Sequence, residues 1–307
     1  MRDVFIYLLS FIAPLTSICQ ELHPLGAKLD PVNDYKLIET RLFTTSDIDK
    51  LDKKNSYFLL NTPPPKDQGD IGSCVGWALG YTFLSVVLFG SGNSGWNDDN
   101  EISPSFLYNY ELYQEAVVKK ESTTPPTSIL GNAFSRIATA TSIDCNTGIN
   151  IAQAIKIIQT EGACVLSNMK YTTDCRILPS QAQRDMARSY ALNPRTGAYD
   201  ILNKIYSTSP SDVESLKYLL QFSKAPIVVG LEVTTAFDDM WKGNGEWRAN
   251  YGPSRGGHAA CIIGFNDSTE MFKCQNSWGQ GGNNGYFSVS YEMVKSGCLK
   301  EAFFIFR

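Results

Sequence analysis

The chain has 307 residues and a formal net charge of −4, with 43% hydrophobic and 19% charged residues. This composition supports a packed core and excludes disorder as a description of the whole chain. The length predicts two compact units or one large domain with two lobes. There are no runs of Lys and Arg, so the charge pattern gives no support to nucleic-acid binding.

The first residues have the pattern of a secretory signal peptide. A charged start, Met1–Asp3, is followed by a short apolar run at Val4–Ile18. We predict a signal peptide at 1–19 with cleavage before Gln20, and a secreted or periplasmic protein. The apolar run is too short for an integral membrane span. A lipid anchor at Cys19 is the less favoured alternative, because a bulky isoleucine precedes that cysteine.

An exported chain places its cysteines in an oxidising environment. Of eight cysteines, Cys19 leaves with the signal peptide, and a free Cys74 leaves six that allow fifteen pairings. The six are Cys145, Cys164, Cys175, Cys261, Cys274 and Cys298. In a symmetric hairpin centred on 266–269, Cys261 lies opposite Cys274. A disulfide there and simple packing of two small apolar side chains are equal alternatives.

The remaining pattern predicts an α+β protein with a helix-rich first half and a strand-rich second half. Residues 20–55 are polar, with one short helix at 46–53, and we expect a leader or pro-segment there and a folded domain at 56–307. Predicted helices cover 74–90, a segment starting at Pro104, 149–160, 181–192 and 211–222, the last N-capped by Ser211. Predicted strands cover 227–233, 259–265, 271–275, 286–291 and 302–306.

A possible nucleophile stands at the start of the first long helix. Gln68 precedes Cys74 by six positions, across a glycine-rich turn. A thiol at a helix N-terminus faces unpaired N–H groups and the positive end of the dipole, which favours the thiolate. The Gln68 amide and the Cys74 N–H together are the two donors that an oxyanion hole needs. Taken alone, an ordinary buried cysteine is the better interpretation.

Histidine chemistry in this chain depends on His258, since the only other histidine, His23, lies in a polar stretch and is expected to be solvated. Two histidines exclude a multi-histidine metal site, and we expect no cofactor. The predicted hairpin returns Asn276 to the end of the sheet that carries His258. The Asn276 oxygen can then fix the imidazole tautomer, and Trp278 can shield that bond from water. Taken alone, the position of His258 at a strand start favours an ordinary core histidine.

Three blocks of the chain resemble, in the same order, the active-site motifs of the papain-like cysteine peptidases: Gln68…Gly72-Ser73-Cys74, Gly257-His258-Ala259, and Asn276-Ser277-Trp278-Gly279…Gly285-Tyr286. The resemblance covers about residues 57–307. It implies that Cys74 is the nucleophile, His258 the general base and acid, and Asn276 the residue that orients the imidazole. By the same resemblance Gln68 lies in the oxyanion hole, and Gly72, Ser73, Gly257 and Trp278 support the site.

The resemblance also implies a fold and an activity. The fold is a helical left lobe carrying Cys74 and an antiparallel, β-barrel-like right lobe carrying His258 and Asn276, with a peptide-binding cleft between them. The leading hypothesis is an exported, monomeric cysteine endopeptidase that hydrolyses peptides or proteins through an acyl-thioester, without a cofactor. The alternatives are a papain-fold binding or scaffold protein without catalysis, and an amidase or transpeptidase of cell-wall peptides.

Several positions depart from the family pattern and favour a divergent bacterial branch. Val75 stands where the family has tryptophan, and Ile71 stands where many members have a cysteine. Cys145 therefore lacks its usual mate, and no disulfide is carried over. Residues 20–55 are too few for a long helical propeptide, so they are either a short blocking arm or no zymogen step exists. Residues 176–210 are an insertion that either shapes the cleft or elaborates the surface.

Overall fold

The computed structural model describes residues 22–30, 38–43, 56–90, 95–123, 142–192 and 204–306. The described residues combine helices with a large mixed sheet, which confirms the α+β class. The predicted signal peptide and the predicted helix at 46–53 lie outside these residues. Within the described ranges, no helix is both long and apolar enough to cross a membrane.

The helical lobe is built around the helix that begins at Cys74. It continues as α1 (Gly76–Leu84), which has π-helical geometry, and α2 (Ser85–Phe89). All nine residues of α1 are buried. The helix α3 (Pro104–Thr123) crosses it so closely that a Cβ on Gly76 would lie 2.6 Å from the Pro104 carbonyl oxygen. The predicted helices at 74–90 and from Pro104 are confirmed.

Two further helices complete this lobe, α4 (Ile151–Thr160) and α5 (Gln181–Ala187). Ile158 of α4 is fully buried, and its carbonyl accepts a hydrogen bond from the Leu192 N–H. Tyr190 packs its ring against Phe89 at 5.7 Å. Residues 181–192 of the predicted insertion thus pack on the helical lobe, whereas Ile205–Ser207 form a strand of the second lobe.

The second lobe is an eight-stranded sheet. Its strands are β2 (Tyr57–Leu59), β4 (Ile205–Ser207), β5 (Ile227–Thr234), β6 (Glu246–Trp247), β7 (Ser254–Asn266), β8 (Met271–Gln275), β9 (Tyr286–Ser290) and β10 (Leu299–Ile305). The order is β4-β10-β5-β7-β8-β9-β6, with β2 also on β7, and only the β6–β9 pair is parallel. The described strands form an open sheet, so the barrel-like lobe is not a closed barrel.

Short strands and helices surround this sheet. A separate two-stranded sheet pairs β1 (Ala27–Lys28) with β3 (Ile149–Asn150). The helices of this lobe are α6 (Val213–Ser223), α7 (Thr235–Lys242), α8 (Gly281–Asn284) and α9 (Tyr291–Lys295). The prediction of Ser211 as the N-cap of α6 is wrong, because the Asp212 carboxylate accepts the Ser215 N–H.

The turn of the β7–β8 hairpin lies later in the chain than the symmetric register predicts. Cys261 pairs with Gln275 and Ile262 pairs with Cys274, with an irregularity before Gly264. Neighbouring positions on a strand point to opposite faces, so Cys261 and Cys274 face different sides of the sheet. Both are free and buried, and the possible disulfide between them is excluded.

Cys145 forms a disulfide with Cys175, with the Cα atoms 5.5 Å apart. The sequence left the partner of Cys145 open, because Ile71 stands where many family members have its usual partner. A loop from a different part of the helical lobe supplies the second sulfur. The bond ties the 171–177 loop to the segment that leads into β3. That segment forms one wall of the cleft described below.

Removing this disulfide should destabilise the chain. A cross-link that closes a separation of 30 residues contributes about 3–4 kcal/mol in the chain-entropy description. The double variant Cys145→Ser/Cys175→Ser is expected to lose about 3 kcal/mol of unfolding free energy in urea titrations without reductant. Adding reductant to both proteins is the control, and it should abolish the difference. A wild-type chain whose stability is insensitive to reductant contradicts the assignment.

Candidate active site

The His258 imidazole lies at the end of the sheet predicted from the hairpin. His258 Nε2 and Asn276 Oδ1 are 2.6 Å apart, and both side chains are buried. The same oxygen accepts the Ser277 N–H at 2.9 Å. Because an amide oxygen only accepts, Nε2 carries the proton and Nδ1 is unprotonated. Among the described residues, Nδ1 has no hydrogen-bond partner, so its lone pair is available as a base.

The Cys74 thiol lies next to the strand that carries His258. It is completely buried, and the backbone N–H of Ala259, the residue that follows His258, lies near the sulfur and acts to lower its pKa. The N–H groups of Val75 and Cys74, at the helix start, act on the pKa in the same direction. A nucleophile from the helical lobe and a base from the strand lobe are thus brought together.

Gln68 bridges the two lobes at the same point. Its Oε1 accepts the Ser277 hydroxyl at 2.7 Å, and its backbone N–H donates to the Ser277 carbonyl at 2.8 Å. Its Nε2 donates to the Ile71 carbonyl at 2.8 Å and, at 3.3 Å, to the carbonyl of Pro24. The amide donor therefore faces the N-terminal segment of the chain on the cleft side.

Two supporting residues hold the glycine turn in place. Gly72 donates its N–H to the Cys145 carbonyl at 3.0 Å, and Ser73 shares a hydrogen bond of 2.8 Å with the Tyr171 hydroxyl. The Tyr171 hydroxyl also donates to the Gln68 carbonyl at 2.5 Å. The sequence analysis missed Tyr171, since no local pattern links it to the turn.

Trp278 covers the His258–Asn276 hydrogen bond, as predicted. It is 2% exposed, and its ring centroid lies 4.4 Å from that of the His258 imidazole. Phe237 and Trp241 pack edge-on against it at 5.5 and 5.9 Å. Both belong to α7, which the sequence analysis did not recognise as a helix.

Residues 22–30, called the N-terminal arm below, lie along the cleft. The predicted solvated His23 is instead stacked on Trp278, with centroids 4.8 Å apart, and Arg255 donates to its carbonyl at 2.8 Å. Further along, the Gly26 N–H lies near the Cys74 sulfur and acts to lower its pKa. The Gly26 carbonyl accepts the Ile149 N–H at 3.0 Å. The arm therefore contacts both walls of the cleft.

The C-terminal half of the arm is held by a strand pairing and by carboxylates. Ala27 and Lys28 run parallel to Ile149 and Asn150. Lys28 Nζ lies 2.5 Å from a Glu115 oxygen. The Asp30 N–H donates at 2.6 Å to Glu301, a residue only 1% exposed that sequence reasoning also missed. No periodicity or motif distinguishes Glu301 within its strand.

Glycines allow the arm to approach this closely. A Cβ on Gly26 would lie 1.8 Å from the Gly72 carbonyl oxygen, and a Cβ on Gly257 would lie 2.2 Å from the Ala27 carbonyl oxygen. The arm presents an N–H group to the Cys74 sulfur, while the Gly26 carbonyl is turned to β3. The arm therefore covers the nucleophile.

Burial controls the protonation states of the Cys74 thiol and the His258 imidazole. Desolvation raises the pKa of the Cys74 thiol to about 12, although four backbone N–H donors, from Ala259, Gly26, Val75 and Cys74, act against it. Desolvation lowers the pKa of His258 to about 4, although the Asn276 bond acts against it. The resting pair is a neutral thiol and a neutral imidazole. The predicted thiolate is wrong for this state, because burial outweighs the helix terminus.

The two histidines of the chain make this protonation state measurable. In the full-length protein, His258 is expected to stay neutral from pH 8 down to about pH 5, with the proton on Nε2, because its pKa is lowered to about 4. Imidazole ¹⁵N chemical shifts report both the charge and the tautomer. His23→Ala removes the second set of signals and serves for assignment. A His258 that titrates near its ordinary pKa of about 6.5 contradicts a resting neutral pair.

Within the described residues, no group of three or more His, Cys, Asp or Glu side chains is arranged to hold a metal ion.

Comparison with known proteins places this geometry in a family. Residues 135–305 match the papain family cysteine proteases, a match that contains His258 and Asn276 and begins after Cys74. An uncharacterised peptidase C1-like protein of Acanthamoeba polyphaga mimivirus is 28% identical over 244 residues, which is 78% of this chain and 68% of the viral protein.

The fold has relatives among solved structures. Xylellain, a cysteine protease from Xylella fastidiosa, is 20% identical with a TM-score of 0.64, over 92% of this chain and 96% of its own. The digestive procathepsin L2 proteinase of Tenebrio molitor is 16% identical with a TM-score of 0.55, over 93% of this chain and 78% of its own. The chain belongs to the papain family of cysteine proteases.

Proposed function

We propose that the chain is an exported cysteine endopeptidase that is made with its own N-terminal arm in the substrate cleft. The observation that carries the proposal is the meeting of Cys74, His258, Asn276 and Gln68 beneath an extended segment of peptide. A cleft that holds residues 22–30 in extended form has the shape to hold a peptide substrate. The substrates are therefore peptides or proteins.

The proposed reaction starts when the arm leaves. The Cys74 proton passes to His258 Nδ1, and the sulfur attacks the carbonyl carbon of the scissile bond. The Gln68 Nε2 and the Cys74 N–H hold the oxyanion. The bond to nitrogen then breaks as the imidazolium protonates the leaving amine, which leaves an acyl-thioester. Water gives a proton to His258, attacks the thioester and releases the acid and the free thiol. Asn276 holds the Nε2–H throughout.

The arm supports a precursor role for residues 20–55. Its backbone fills the space in front of the sulfur, and Pro24 occupies the Gln68 donor. Export is supported by the signal pattern at 1–19 and by the Cys145–Cys175 disulfide, since such bonds persist in oxidising compartments. A bacterial origin and a monomeric state stay predictions.

The arm makes a direct prediction about reactivity. Gly26→Val places a side chain against the Gly72 backbone, which cannot move aside, and should unseat the arm in the full-length chain. We expect Cys74 to react with a peptide-like epoxide at least about 10-fold faster than in the wild type, as expected when a buried thiol becomes accessible. The readout is the mass of the modified Cys74 peptide.

Gly95→Val is the matched control for this substitution. A Cβ on Gly95 meets nothing within 4 Å, so the same change there should leave the labelling rate unaltered. Equal labelling of the wild type and of Gly26→Val would show that the arm does not cover the nucleophile in solution.

Peptide cleavage tests the catalytic assignment itself. Full-length Gly26→Val should cleave members of a peptide library, and adding Cys74→Ala should abolish cleavage, because no other group at the site forms the thioester. Cys164→Ala is the control, since Cys164 is also free and buried but belongs to the core of the helical lobe. If the protein neither cleaves peptides nor is labelled at Cys74, a binding or scaffold protein is favoured instead. Cleavage restricted to cell-wall peptides would favour an amidase or transpeptidase.

A further inference from the structure

A small cavity lies beside Asn276, where the two lobes meet. Its volume is about 10 Å³, and its wall includes Trp77, Tyr81, Thr82, Gln275 and Asn276. That volume is about what one water molecule needs for its centre. The cavity lies between α1 of the helical lobe and the end of β8, so both lobes contribute to it.

Three buried polar atoms of this wall have no hydrogen-bond partner among the described residues. They are Trp77 Nε1 and Asn276 Nδ2, both donors, and Gln275 Oε1, an acceptor. The residues are 3%, 4% and 3% exposed, respectively. The other polar atoms of the two amides are engaged, because Asn276 Oδ1 contacts His258 and Ser277, and Gln275 Nε2 donates to the Pro63 carbonyl at 2.9 Å.

A buried donor and a buried acceptor that face one cavity are costly unless something bridges them. A water molecule accepts from the donor and donates to the acceptor with one of its own hydrogens, and buried waters make about three such bonds. The Thr82 hydroxyl lines the same space and is 4% exposed. The size of the site fits one water molecule, and the charged side chain in its wall, Lys66, is already paired with Glu101.

We propose that this cavity is the site of one ordered water molecule, and that Gln275 is a positioning residue that acts through this water on Asn276. The water accepts from Asn276 Nδ2 and donates to Gln275 Oε1. It fixes the plane of the Asn276 amide, which in turn keeps Oδ1 on His258 Nε2. The inference rests on the proposed function, in which Asn276 orients the catalytic imidazole.

The presence of the water can be tested in the wild-type protein, and this test does not depend on peptidase activity. A crystal structure of the full-length protein at 1.5 Å or better should show a density peak within about 3.2 Å of Asn276 Nδ2 and of Gln275 Oε1, the limit for such hydrogen bonds. A cavity without such a peak overturns the proposal.

Gln275→Met tests the positioning role, because it keeps the length of the side chain and removes both polar atoms. In the Gly26→Val background it should lower kcat about 10-fold with KM changed less than about twofold, the effect of one buried hydrogen bond on a catalytic step. In the same variant, ¹⁵N shifts should show a smaller fraction of His258 protonated at Nε2. Gln275→Glu in its protonated form keeps an acceptor for the water and a donor for the Pro63 carbonyl. It should therefore restore most of the kcat and most of the His258 fraction that is protonated at Nε2.

Gln280→Met is the matched control, since it makes the same change five positions later at an exposed side chain. Its kcat and its His258 shifts should equal those of the parent. A Gln275→Met variant that behaves like Gln280→Met overturns the positioning role. If Gly26→Val shows no peptidase activity, the proposed function fails, while the density peak and the imidazole shifts still decide this inference.

Discussion

The chemistry of this site depends on the contact between the Gly26 backbone and the Gly72–Cys74 turn. Gly26 lies so close that a single added carbon would overlap the Gly72 carbonyl. This contact excludes water from the sulfur, and exclusion of water is the largest influence on the pKa of both Cys74 and His258. The burial that covers the thiol therefore also keeps it protonated.

Proton binding and the arm are coupled in two opposite directions. Burial lowers the pKa of His258 to about 4. The contribution of this group to the stability of the arm-covered state is therefore present above the ordinary pKa of about 6.5 and is lost as the pH falls through 4. The pKa of Glu301 is raised to about 7 by burial and by the nearby Asp30. Its contribution is present below the ordinary pKa of about 4.5 and is lost as the pH rises through 7.

These two groups oppose each other between about pH 4.5 and 6.5. The remaining imidazole on the arm, His23, also has a lowered pKa, caused mainly by burial, although Asp67 and Asp238 act against it. In acid, protonation of His23 and His258 favours release of the arm, whereas protonation of Glu301 favours the arm-covered state. Glu301 therefore limits how strongly acid alone can open the cleft.

The parts of the site that depend on local sequence could be predicted, and the parts that depend on distant packing could not. The hairpin β7–β8 brought Asn276 to His258 because a turn fixes which strand ends meet. In contrast, the Cys145–Cys175 bond joins two loops of the helical lobe, and no spacing selects it among fifteen pairings. The hairpin register was also missed, since the turn lies later than the symmetric centre and an irregularity between Ile262 and Gly264 interrupts the pairing.

The protonation of Cys74 shows the same limit at the level of energetics. The sequence correctly places the thiol at a helix start, where the dipole favours the thiolate. It does not reveal that residues 22–30 lie over that helix start and remove the solvent that a thiolate needs. His23 and Glu301 were missed for this reason as well, because their partners, Trp278 and the Asp30 N–H, lie more than 250 residues away along the chain.

Thiolate absorbance at 240 nm between pH 5 and 9 tests the central claim most directly. Subtracting the spectrum of Cys74→Ala isolates the Cys74 signal in the full-length chain and in Gly26→Val. We predict no thiolate in the wild-type arm-covered state over this range, since the pKa is about 12. In Gly26→Val a thiolate should appear, because the helix terminus and the imidazole then act on a solvated sulfur. The same thiolate signal in both proteins, with the same midpoint, would contradict the account.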